Sequence, residues 1–96
     1  MTKSVGYASE IRPLFRQVDI DHMEPYGVLL DQYDWMSDAS GGSIGDCGQF
    51  DDHANGRSVH AFLTGECMPR MPLGGPFWTE DLLDLYQRWM DDGFQP

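Results

Sequence analysis

The chain is short of positive charge. Its 96 residues include 6 lysines and arginines against 16 aspartates and glutamates, a formal net charge of −10. A surface this acidic repels phosphate backbones and anionic lipid, which excludes nucleic acid as the default partner. A basic protein surface or a metal ion suits the charge better, and plain solubility also accounts for it. Long apolar runs are absent too: no stretch approaches the roughly 20 residues of a membrane span. The opening MTKSVGYASEIRPLF has one lysine and no apolar run of signal-peptide length, so a cytoplasmic protein without membrane contact is expected. Cysteine is limited to Cys47 and Cys67, which do not form a CxxC pair. A reducing cytosol keeps such residues as thiols; a disulfide between them is the alternative state.

What is present suffices for one small core. Apolar residues make up 41% of the chain and aromatic ones 12%, which argues against disorder despite the charge. The length leaves no room for a second core, so residues 1–96 are expected to form one domain.

Periodicity points to an all-α protein with three or four short helices. Residues 1–8 read as a flexible arm. A first helix is expected from Ser9 to Asp21, with Ser9 as cap and Pro13 tolerated near the first turn. Ile11, Leu14, Phe15 and Val18 recur at i, i+3, i+4, i+7 and make its apolar stripe. The segment EPYGVLLDQYDWMSD is punctuated by Pro25 and Gly27 and is expected to be a short helix or an extended turn. Residues 37–51 form a Gly/Asp-rich loop, and loops of that length are usually functional or mobile. A second amphipathic helix is expected from Asp52 to Thr64, capped by Asp51 or Asp52, faced by Val59, Phe62 and Leu63 and stopped by Gly65. CMPRMPLGGPFW is too rich in proline and glycine to be helical. The last helix starts at the Thr79 cap and ends at Gly93, with Leu82, Leu85, Tyr86 and Trp89 on its face and Leu83 and Met90 alongside. No strand pair and no internal repeat are evident.

The two ends, EIRPLF and MPLGGPFWTEDLLDLYQRWMDDGF, resemble a class I cytochrome c domain. The nearer likeness is to bacterial cytochrome-like domains whose C-terminal part reads MP, GG, W, then a helix ending in W and G. The resemblance spans about half the chain and implies a fold in which the last helix crosses the first, here through Ile11, Leu14, Phe15, Leu82, Leu85, Tyr86 and Trp89. It also implies a Met-Pro loop that supplies an axial haem ligand. The family holds haem through CxxCH just after the first helix. That window here is Asp19-Ile20-Asp21-His22-Met23, with no cysteine in any register, so thioether attachment of haem is impossible. The chain is similar as well to small bacterial proteins with a DIRPLFR…M…MP…W pattern that lack CxxCH.

Four kinds of site follow. Non-covalent haem would draw on Met23 or His22 facing Met68 or Met71; the competing reading is that Met23, Met68, Met71 and bulky rings simply fill the space a haem would take. A metal would draw on His22, His53 and His60, or on Asp19 with His22 at i, i+3, although no zinc or EF-hand spacing is present. Catalysis would use Asp19 with His22 as acid and base in a vacated pocket, or the pairs Cys47 with His53 and Cys67 with His60. Protein binding would use the Gly/Asp loop and the rings of Phe77 and Trp78, which otherwise staple the last helix to the core. The function expected first is a haem-free accessory or interaction domain, a small subunit beside a bacterial enzyme, with a protein as partner. The alternatives are a non-covalent haem or metal redox protein, and a small enzyme using the vacated pocket.

Overall fold

The computed structural model describes residues 4–45, 48–68, 70–72 and 74–96. Its regular structure is helical: α1 (Gln17–Met23), α2 (Tyr33–Met36), α3 (Ala54–Thr64) and α4 (Glu80–Asp91). No strand forms among the described residues; two isolated bridges pair Gly6 with Gln95 and Gly42 with Phe50. The radius of gyration, 12.4 Å, is that of a compact chain, about 13 Å for 100 residues.

The first expected helix does not run through. Tyr7–Ile11 form one π turn and Arg12–Leu14 one 3-10 turn, and Phe15 and Arg16 are extended (φ −87, ψ 125 and φ −78, ψ 155). Pro13 is the physical reason, since it lacks the N–H that an α-helix would need there. The chain then restarts at α1 with Asp19 as its lock. One oxygen of Asp19 accepts from the Arg16 backbone N–H at 3.1 Å, and both accept from the Arg16 guanidinium at 3.0 and 2.9 Å. The break cuts the expected stripe: Ile11 and Phe15 are buried, but Val18 is 61% exposed.

The expected flexible arm is, over its described part, packed. Val5 is fully buried and its N–H donates to Asp92 Oδ2 at 2.9 Å. The Tyr7 N–H donates to the Gln95 carbonyl at 3.0 Å. The Tyr7 ring lies between Tyr33 and Trp89, 5.7 and 5.6 Å away. Apolar burial and backbone pairing with the C-terminus offset the ordering entropy that loosens most termini. Residues 1–3 lie outside the described residues.

α4 forms as its sequence dictates. Thr79 Oγ1 accepts from the Leu82 N–H at 3.4 Å, Glu80 and Asp81 occupy the first turn, and Gly93 leaves the helix at φ 95. Its buried face is Tyr86, Trp89 and Met90, with Leu82, Leu83 and Leu85 packed at the core's edge. α3 starts at Ala54 rather than Asp52. Its cap is His53, held at φ 48, ψ 42 without a capping side chain, because the Asp52 carboxylate is engaged by Arg57 Nη2 at 3.0 Å and His53 Nδ1 at 2.6 Å. The His53 ring stacks on Phe94 at 4.1 Å. The Tyr86 hydroxyl donates to the Gly56 carbonyl at 2.7 Å and ties α4 to α3.

The described part of the Gly/Asp-rich loop has no helix. Reciprocal bonds between Gly42 and Phe50, 3.0 and 2.9 Å, pinch it shut.

Candidate functional site

A cavity of about 430 Å³ opens between the end of α1, the C-terminal turn of α3 and the Met-Pro segment. Local sequence explains how each wall gets there. Met23 is the last residue of α1 and is buried. Glu24–Tyr26 add a 3-10 turn, and Gly27 then takes the left-handed conformation (φ 78). That conformation suits a residue without Cβ. It reverses the chain so that the Val28 N–H returns to the Met23 carbonyl at 3.3 Å. Phe62 of α3 forms another wall. After Gly65 (φ 88) the chain folds back over α3: the Cys67 N–H donates to the Ala61 carbonyl at 3.0 Å and the Met71 N–H to the Phe62 carbonyl at 2.9 Å. These bonds carry Met68 and Met71 to the cavity. Ile44 and Gly45, from the Gly/Asp-rich loop, close the remaining side.

The lining is almost wholly apolar. Its side-chain heteroatoms are the sulfurs of Met23, Met68 and Met71 and the hydroxyl of Tyr26. Met23 and Met71 are buried at 7% and 2%, whereas Tyr26 and Met68 are each 72% exposed and stand at the rim. The structure thus brings the three methionines singled out in the sequence into one place.

It does not bring His22 into that cavity. His22 is exposed and lines a neighbouring hollow of about 50 Å³ with Asp19, on the other side of Met23 and Met71. A space that small holds little more than water. Both Asp19 oxygens accept from the Arg16 guanidinium, so the carboxylate locks the start of α1. His53 and His60 lie elsewhere: His53 against Asp52 and Phe94, His60 half-buried against the Tyr86 ring at 5.6 Å. Among the described residues, no group of three or more His, Cys, Asp and Glu side chains is placed to hold a metal ion.

Cys67 corrects the thiol expectation: it is buried and disulfide-bonded, so the pair Cys67 with His60 has no nucleophile. Cys47, needed for the pair with His53, lies outside the described residues. A disulfide is a feature of oxidising compartments. No helix among the described residues is long and apolar enough to cross a membrane.

Phe77 and Trp78 part company. Trp78 is buried, packed on Phe15 at 5.3 Å and Tyr86 at 6.1 Å. Phe77 is 48% exposed, with the Arg70 guanidinium 4.3 Å above its ring. Tyr26, Val28, Phe62, Ile44 and Gly45 were not legible as one wall. The only local signal was the EPYG turn directly after α1.

His60 makes one testable statement about pH. Burial lowers its pKa below 6.5, against the opposing pull of Glu66 and Asp91. A histidine whose folded pKa is depressed adds stability that is complete above its unfolded pKa. That stability is lost as pH falls from about 6.5 through the folded value. The midpoint of thermal unfolding should therefore fall with acid over this window, and His60→Gln should remove part of the slope. An unchanged slope in that variant contradicts the assignment.

No protein-family model, curated protein or solved structure matches the chain.

Proposed function

We propose that this chain is a haem-free, cytochrome c-like accessory domain of a bacterial enzyme system that docks on a partner protein through the rim of the methionine-lined cavity. The observation that carries this reading is the rim itself. Tyr26 and Met68, each 72% exposed, flank an apolar cavity of about 430 Å³. Exposed tyrosine and methionine around an apolar hollow are the composition of an interface core. The net charge of −10 favours a partner with a basic border around an apolar protrusion. The cytochrome c-like part rests on EIRPLF and MPLGGPFW…W. It is supported by the way the opening turns lie against α4, with Tyr7 on Trp89 and Ile11 buried in the same core.

Haem fits these residues poorly. The cavity is at the small end of ligand sites, which run from about 300 to 1,000 Å³, and a haem macrocycle with its substituents is larger than a typical drug-sized ligand. The imidazole that would make the usual axial partner, His22, borders the other hollow.

The double variant Tyr26→Ser, Met68→Ser tests the docking reading. Both side chains are exposed, so stability should change by no more than about 0.5 kcal/mol for each. Binding to the partner captured by the native protein should weaken by more than about 2 kcal/mol, the scale of an interface hot spot. Equal capture by native and double-variant protein would overturn the docking face. A haemin titration tests the other half: a flat Soret region is expected, and a saturable band at one equivalent overturns the haem-free reading.

A further inference from the structure

We propose that Met23, Met68 and Met71 form a thioether site for copper(I). The site rests on the haem-free reading, because a haem would take the same sulfurs. Three of the chain's six methionines line this one cavity, and no carboxylate, imidazole or thiol lines it among the described residues. That donor set is selective by its chemistry. Calcium and magnesium require oxygen ligands. Zinc takes thiolate, imidazole or carboxylate. Thioethers are soft donors and suit copper(I). Apolar walls from Val28, Ile44 and Phe62 penalise a doubly charged ion more than a singly charged one, since the desolvation cost rises steeply with charge.

Rigidity and access are divided among the three. Met23 ends α1 and Met71 is pinned by its bond to the Phe62 carbonyl, so two sulfurs belong to fixed backbone. Met68 is 72% exposed and can close over an ion without repacking the core. The neighbouring Cys67 is already disulfide-bonded, so this segment offers no thiolate. In an oxidising compartment thioethers are the soft ligands that remain. The surface charge of −10 raises the local concentration of any cation.

The test is an anaerobic titration of the full chain with copper(I), kept reduced by ascorbate and competed with bicinchoninate. One equivalent per chain should be withdrawn from the chelator, and X-ray absorption should show sulfur as the main scatterer. Met68→Leu and Met71→Leu conserve volume and should fold. Each should weaken copper(I) binding by at least about tenfold, the loss that even an outer partner of a metal can cause. No withdrawal by the native chain overturns the site. So does undiminished affinity in the doubly substituted Met68→Leu, Met71→Leu protein, which would mean an ion held by surface charge only. Haemin is titrated in parallel: a Soret band lost in the same variants sinks the haem-free reading, whereas a flat haemin spectrum with no copper binding sinks the copper site alone.

Discussion

Trp89→Ala is expected to destabilise the fold by about 3–5 kcal/mol. At roughly 4–8 °C per kcal/mol for a domain of this size, the midpoint of thermal unfolding should fall by more than about 12 °C. Trp89 is fully buried and sits at the centre of a ring cluster. Tyr7, Tyr86 and Phe94 lie 5.6, 5.3 and 4.9 Å from it. Its indole N–H donates to the Gln95 carbonyl at 2.8 Å. The substitution therefore opens a cavity where the opening turns, α4 and the C-terminal residues meet, and removes one of the two hydrogen bonds that the Gln95 carbonyl accepts, leaving the one from the Tyr7 N–H. Phe94 makes the loss worse. It is held at φ 58, an unusual conformation for a bulky side chain, by its packing on Trp89 and His53 and by the Tyr33 hydroxyl on its carbonyl at 2.7 Å. Near-ultraviolet circular dichroism during heating measures the effect. A midpoint within a few degrees of the native one would contradict the role given to Trp89.

Gly56→Ala should also destabilise, although propensity alone favours alanine in a helix by about 1 kcal/mol. A Cβ at Gly56 would meet the Met36 carbonyl oxygen at 2.7 Å and Phe94 Cε2 at 2.8 Å. The first is backbone, so α3 and α2 must move apart; the second belongs to a ring fixed between Trp89 and His53. Overpacking of this kind costs about 1–3 kcal/mol, enough to reverse the propensity gain. Denaturant unfolding should show a lower midpoint. A variant more stable than the native chain would mean that α2 is free to shift.

These two sites mark the limits of the sequence reading. Trp89 was legible: Leu82, Leu85, Tyr86 and Trp89 repeat with helical spacing behind a Thr79 cap, and local rules decide such a helix. Gly56 was readable only as a weak point in a helix, because its purpose is the approach of Met36 and Phe94, which are distant in sequence. The first helix failed for a local reason given too little weight, the missing N–H of Pro13. Its periodic stripe extended past the break and misplaced Val18. The arm failed for a non-local one: nothing in residues 4–8 announces that Gln95 and Asp92 will pair with them.

The candidate site divides in the same way. Residue chemistry singled out Met23, Met68 and Met71, and the lack of a CxxCH motif was plain without any coordinates. Composition determined the acidic surface, and spacing determined the helical class, α4 and the end of α3. Only the tertiary structure decided that the three sulfurs share a cavity and that His22 borders a different hollow. It alone engaged Asp19 with Arg16 and buried Trp78 while leaving Phe77 outside. Those outcomes depend on how the chain turns at Gly27 and Gly65 and on backbone bonds from Cys67 and Met71 back to α3. Such contacts join residues that no periodicity relates.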